Sequence, residues 1–190
     1  MTVNQYQQTL KEHLEVRFNS EAICEWGTKM QNGIYSPRLD IAVGPFAVEN
    51  GVQFIEEYDM LFQDNIQLIR RLVEKHLNNV DLINLHTPPE NIEEIINRKL
   101  DEIFNFNYNA RCFIGVEIEN SVSRKHLMGG AVNASVLSRI GLAVGFTPKM
   151  HNVFKNLYRY FQFLQSVDKP TFRTNNLLVI SSTQLLDICS

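Results

Sequence analysis

An apolar run that carries two carboxylates limits what this chain can fold into more than any other stretch. Residues 110–120 read Ala-Arg-Cys-Phe-Ile-Gly-Val-Glu-Ile-Glu-Asn. Cys112, Phe113, Ile114, Val116 and Ile118 have the β-branched and aromatic weight of a buried strand. Such a run lies between two layers of structure, where an ionised carboxylate is costly. Glu117 and Glu119 nevertheless sit inside it, and a strand's period of two puts both on one face. Two like charges held that close need compensation, for which a divalent cation is the usual source. The competing reading is a strand end that emerges into solvent, with Glu119-Asn120-Ser121 already turning.

A second stretch carries another acid. Residues 36–46 read Ser-Pro-Arg-Leu-Asp-Ile-Ala-Val-Gly-Pro-Phe, with Leu39, Ile41 and Val43 alternating as in a strand and Gly44-Pro45 closing it. Alternation puts Asp40 on the face opposite those three. Around these two strands the periodicities give an order of elements. Asn4 caps a helix to Phe18, with Tyr6, Leu10, Leu14 and Phe18 on one face. A strand through Ala22–Trp26 follows and, after a turn at Gln31-Asn32-Gly33, forms a hairpin with the Asp40 strand. Trp26 is read as core. Residues 53–79 are helical with a break near Asp64-Asn65, and Arg70, Arg71, Lys75 and His76 form a solvated basic cluster there. Pro88-Pro89 opens a helix to about Phe104.

Beyond Glu119, Ser121 or Ser123 caps a helix to about Arg139, whose small middle, residues 129–135, suits close packing on a sheet. Gly141–Phe146 is a short strand, Thr147-Pro148 opens a helix to about Ser166, and Asn176–Ser182 is a last buried strand before a short helix.

At 190 residues, 44% hydrophobic and 21% charged, the chain is one ordinary globular domain by size and composition. No apolar run is long enough for a membrane span, and the N-terminus lacks the basic and apolar regions of a signal peptide. Cys24, Cys112 and Cys189 have no Cys-x-x-Cys spacing and read as free thiols of a reducing compartment, so a cytoplasmic location is expected. A net charge of −3 exerts no global pull on nucleic acid, which leaves contact with phosphates to a local patch.

Asp40 on one strand and Glu-x-Glu on another resembles the PD-(D/E)xK nuclease superfamily. Pro37-Arg38-Leu39-Asp40 corresponds to the first half of the motif and Glu117-Ile118-Glu119 to the second. The resemblance implies an α/β fold with a restriction-endonuclease-like α-β-β-β-α-β core. Residues of about 53–104 are then a helical insertion between the second and third strands, and the last helix and strand a C-terminal extension. It also implies hydrolysis of DNA phosphodiesters with Mg²⁺ or Mn²⁺. Asp40, Glu117 and the Ile118 carbonyl would hold the ion, with Glu15 of the first helix as a further ligand. Glu119 stands where such enzymes usually carry lysine, and there it would bind a second ion or accept a proton from water.

Lys125, on the following helix, could restore the missing positive charge. Arg124, Lys125 and His126 put cations in a helix's first turn, where the helix dipole disfavours them by about 0.3–1 kcal/mol per charge. Attraction of phosphate there would justify the arrangement. Arg38 and the stripe with Lys155 and Arg159 complete the basic residues assigned to DNA, and a homodimer is left open. Two alternatives stand beside the nuclease: a nuclease-like domain that has lost catalysis and serves binding or assembly, and an unrelated α/β protein with acids at its strand ends.

Overall fold

The computed structural model describes residues 1–28, 37–48, 53–121, 124–169 and 173–190, and of Arg124 and Lys125 the backbone alone. The elements are α1 (Val3–Phe18), β1 (Ala22–Gly27), β2 (Arg38–Val43), α2 (Ile55–Asp64), α3 (Ile66–Asn79) and α4 (Pro89–Phe104). They continue with β3 (Cys112–Glu119), α5 (Arg124–Leu137), β4 (Ser138–Gly145), α6 (Pro148–Ser166), β5 (Leu177–Ser181) and α7 (Ser182–Cys189). The strands form one mixed sheet in the order β1-β2-β3-β4-β5. β2 runs antiparallel to both β1 and β3, and β3, β4 and β5 run parallel. The class is therefore α/β. No helix among the described residues is long and apolar enough to cross a membrane. The Gln31-Asn32-Gly33 turn and the Ser123 cap fall outside the described residues.

Two apolar clusters sandwich the sheet. On one face, α1, α7 and the helices α2–α4 pack on Ile41, Val43, Ile114, Val116, Ile140, Leu142 and Ile180. On the other, α5 and α6 pack on Ala42, Cys112, Ala143 and Val179. The first helix starts earlier than expected, because Thr2 caps it rather than Asn4: its hydroxyl takes the Gln5 N–H and the Gln5 side chain answers the Thr2 N–H.

The hairpin departs from strict alternation at one row. Cys24 pairs with Ile41 and Trp26 with Leu39, yet Ile41 belongs to the α1 side while Trp26 and Leu39 belong to the α5 side. The slip occurs at Glu25, whose φ of 51° is the left-handed conformation that non-glycine residues rarely take. Leu39 thus leaves the face it was expected to share with Ile41 and Val43. Trp26 is core, as expected, and stacks on Phe46 with ring centres 5.3 Å apart.

The small residues of α5 do what their size suggested. Ala131 and Ala134 are fully buried, and a Cβ at Gly141 would come within 2.8 Å of the Ala134 backbone. The helix ends at Leu137, however, and β4 begins at once with Ser138, so Arg139 is in a strand rather than a helix. No loop is needed because side chains from elsewhere satisfy the terminal carbonyls of α5. The Asn107 amide donates to Ser135, Val136 and Ser138, and the Asn176 amide to Ser135 and Ser138.

His76 is not part of a solvated cluster. It is fully buried on α3, where its Nδ1 accepts the Val179 N–H at 2.9 Å, and Asn79 donates to the Val179 carbonyl at 2.9 Å. Since β5 is an edge strand, these two side chains stand in for the neighbour it lacks. Arg70 and Arg71 do lie on the outer face of α3: Arg70 pairs with Glu93 of α4, and Arg71 reaches the Asp187 carbonyl.

Arg139, also fully buried, ties the start of β4 to the helical insertion. Its guanidinium donates to the carbonyls of Phe104 and Phe106 and to Asp59 at 2.7 Å, and it lies 4.7 Å from the Tyr108 ring centre. Arg139→Ala strands those acceptors, and urea denaturation should show a loss of about 3 kcal/mol or more.

Burial holds the His76 imidazole well below its ordinary value of 6.5, with Lys99 acting in the same direction. The unfolded chain therefore takes up a proton below pH 6.5 that the folded one resists, so stability is full above that pH and falls as pH drops. The limiting slope is about 1.4 kcal/mol per pH unit. In His76→Gln this part of the slope should vanish in urea melts between pH 7.5 and 4.5.

Candidate functional site

The row where the hairpin slips is also the row where the ladders lapse. β2 pairs with β3 through Val43–Ile114, Ala42–Gly115 and Ile41–Val116, and the pairing stops there. Carrying both registers one residue on sets Asp40 opposite Glu25 of β1 and Glu117 of β3, and neither is a bridged pair. Three carboxylates thus share one row across three adjacent strands. In place of a backbone bond, Asp40 Oδ2 accepts the Ile118 N–H at 2.6 Å.

This row opens into a cleft of about 690 Å³. Its sheet side is lined by Glu25, Arg38, Asp40, Glu117, Ile118 and Glu119. The opposite wall is α5, through His126, Gly129, Gly130 and Asn133. Gly130 lets that helix lie close to the acids, since a Cβ there would stand 3.1 Å from Glu117 Oε2, whereas one at Gly129 would meet nothing within 4 Å.

Electrostatics single out Glu117. Its Oε1 is buried with no hydrogen-bond partner among the described residues. Burial pushes the carboxyl up to about 8, and Asp40, Glu119 and Glu25 push the same way against a weaker pull from Asn133. Burial also raises Asp40, opposed by its bond from Ile118. Glu119 is differently placed, since its Oε1 accepts the N–H groups of Asn120 and Ser121 at 3.0 and 2.8 Å and the Ser121 hydroxyl at 3.0 Å. The two acids of the 110–120 run are therefore placed differently. Glu117 is the buried carboxylate, and Glu119 belongs to a strand end already turning.

Of the residues singled out in the sequence, Arg38, Asp40, Glu117, Ile118, Glu119 and His126 come together in the cleft. Glu15 is not among its lining residues; it accepts from Lys11 at 2.8 Å and from the Ala22 N–H at 3.1 Å, joining α1 to β1. Arg159 pairs with Asp81, and neither it nor Lys155 lines the cleft. The side chains of Arg124 and Lys125 lie outside the described residues, although α5 begins at Arg124 and lines the cleft from His126 on. Among the described residues no three His, Cys, Asp or Glu side chains are gathered as a metal-holding group. The hard-oxygen donor set is two carboxylates with a neighbouring carbonyl.

Glu25, Asn133 and Gln7 were not anticipated. Glu25 pairs with Arg38 at 3.4 Å, and the Gln7 amide of α1 donates to the Asp40 carbonyl at 2.6 Å and to Glu25 at 3.3 Å. The one signal for Glu25 was an acid within the β-favouring run Ala22–Trp26, at the hairpin position facing Asp40. No protein-family model, curated protein or solved structure matches the chain.

Because the folded-state value of Glu117 lies above its ordinary 4.5, its contribution to stability is full below about pH 4.5 and is lost as pH rises towards 8. Without metal, Glu117→Gln should therefore be more stable than the wild type at pH 8 and equal to it near pH 4.5. The difference should grow by at most about 1.4 kcal/mol per pH unit, as measured by urea melts.

Proposed function

We propose that the chain is a metal-dependent DNA endonuclease with a restriction-endonuclease-like core, in which α1, β1–β3, α5 and β4 form the α-β-β-β-α-β unit. The helices α2–α4 are then the insertion, and α6 with β5 and α7 the extension. One observation carries the reading: a carboxylate pair, Asp40 and Glu117, meets at a break in the sheet, with Glu117 Oε1 buried and unpartnered in an open cleft. An isolated buried carboxylate is unfavourable, and a divalent ion is the compensation that fits hard oxygen donors.

Asp40 and Glu117, with the Ile118 carbonyl, would hold Mg²⁺ or Mn²⁺, which supplies charge to offset a phosphate and lowers the pKa of water. Asp40 fixes its own orientation through the Ile118 N–H. Arg38 and His126, on opposite walls of the cleft, are suited to a phosphodiester backbone. Gly129 and Gly130 let that backbone approach the acids. Lys125, in the first turn of α5, remains the candidate for the charge that a motif lysine would supply.

A second reading, a nuclease-like domain without catalysis, is favoured by Glu119. The third motif position spends one oxygen on its own turn, which suits a structural role. Plasmid and linear DNA incubated with the protein and Mg²⁺, Mn²⁺ or EDTA separate the two. The nuclease reading expects cleavage with metal and none with EDTA. Mn²⁺ binding by calorimetry should be strongly weakened in Asp40→Ala and Glu117→Ala. DNA binding without cleavage in any metal supports the second reading, and equal Mn²⁺ binding by all three proteins removes the metal site. In single-turnover assays, Lys125→Ala should slow cleavage far more than it weakens DNA binding.

A further inference from the structure

The middle acid of the cleft row stands on β2 at a residue that neither neighbouring strand bridges, although Leu39 and Ile41 beside it are both bridged to β1. At Asp40 both ladders lapse, towards β1 and towards β3. A buried backbone carbonyl needs a hydrogen-bond partner, and beside an unbridged pair that partner can come from another element. Asp40 finds one in α1, where Gln7 donates to its carbonyl at 2.6 Å. The same nitrogen has a second hydrogen, which reaches Glu25 Oε1 at 3.3 Å. Glu25 is the residue whose left-handed φ turns β1 at this row, and its carboxylate also meets Arg38 at 3.4 Å. One half-buried amide therefore holds two acids of the row, the middle Asp40 through its carbonyl and the outer Glu25 through its carboxylate. Gln7 has the stiffness for this task because its flanking residues Tyr6 and Leu10 are buried in the core and pin the helix to the sheet.

We propose that Gln7 is the positioning residue of the cleft, setting the Asp40 carboxylate by holding the Asp40 main chain at the gap in the sheet. The proposal rests on the metal-dependent nuclease reading for its consequence, but its geometry is independent of it. Of the two Asp40 oxygens, Oδ2 is committed to the Ile118 N–H, so any drift of the main chain moves the remaining oxygen relative to Glu117. Groups that orient a metal ligand typically alter affinity or activity by about 10- to 100-fold when removed. Glu is the informative replacement, because it keeps the shape of Gln, cannot donate when ionised, and repels Glu25.

The test compares wild type, Gln7→Glu, Gln7→Leu and the control Gln8→Leu, whose exposed side chain meets Glu12 at 3.5 Å instead of the cleft. The first readout is the Ile118 amide proton in ¹H–¹⁵N spectra of the metal-free protein. A bond to a carboxylate at 2.6 Å places that proton downfield, and both Gln7 variants should shift it upfield while core amides such as that of Leu142 stay in place. The second readout is Mn²⁺ titration, in which both variants should bind about 10- to 100-fold more weakly than wild type and Gln8→Leu. An Ile118 amide and a Mn²⁺ affinity unchanged in both variants, even with a lower Tm, would overturn the positioning role and leave Gln7 a structural contact. Wild-type protein that binds no Mn²⁺ and cuts no DNA sinks the nuclease reading instead, and the Ile118 amide still decides whether Gln7 sets Asp40.

Discussion

Three carboxylates cannot sit side by side in a regular ladder at low cost, and the architecture of this protein follows from how it handles that constraint. Glu25, Asp40 and Glu117 fall in one row of adjacent strands, and no bridge joins Asp40 to either of the other two. β1 turns through a left-handed residue, β2 ends its pairing with β3 at Ile41, and Asp40 accepts the Ile118 N–H in place of a backbone contact. What results is a gap lined by oxygen atoms at the edge of an otherwise dry sheet. The energetic strain is concentrated on Glu117, whose carboxyl is the most buried of the set and lacks a partner for one oxygen.

The remainder of the fold keeps that gap open and rigid. Helix α5 rides low over β3 and β4 because Gly130, Ala131, Ala134 and Gly141 have no bulk to hold it away. It passes into β4 without a loop because Asn107 and Asn176 take up its last carbonyls. The inserted helices close the other side. Arg139 binds them to β4, and His76 with Asn79 covers the edge of β5. Each is a buried polar group whose partners lie far away in sequence, and buried polar groups of that kind specify one arrangement because the alternatives leave them unsatisfied.

Much of the element order was legible in the chain. The helices α1, α2–α3 with its break at Asn65, α4 and α6, and all five strands follow from apolar period and from punctuation such as Pro89 and Thr147-Pro148. Two of the local readings that failed did so for related reasons. Ser138 and Arg139 looked helical because the signals that end α5 are asparagines from other parts of the chain. His76 looked like a surface cation because its partner, the Val179 N–H, lies on a strand a hundred residues on. At the site, Asp40, Glu117 and Glu119 stood out because acids inside β-favouring runs are improbable unless something uses them.

Sequence by itself determined that an α/β sheet would form with acids placed on its second and third strands, since alternation and burial are local consequences of residue type. Register, by contrast, is a relation between strands, and only the tertiary structure decided it. That relation aligned Glu25 with Asp40 and Glu117, separated the roles of Glu117 and Glu119, and left Glu15 tied to Lys11 and Ala22. It also brought Gln7 beneath Asp40. No periodicity marks such a contact, because it joins a side chain of α1 to a backbone carbonyl of β2 that only the packed structure brings within reach.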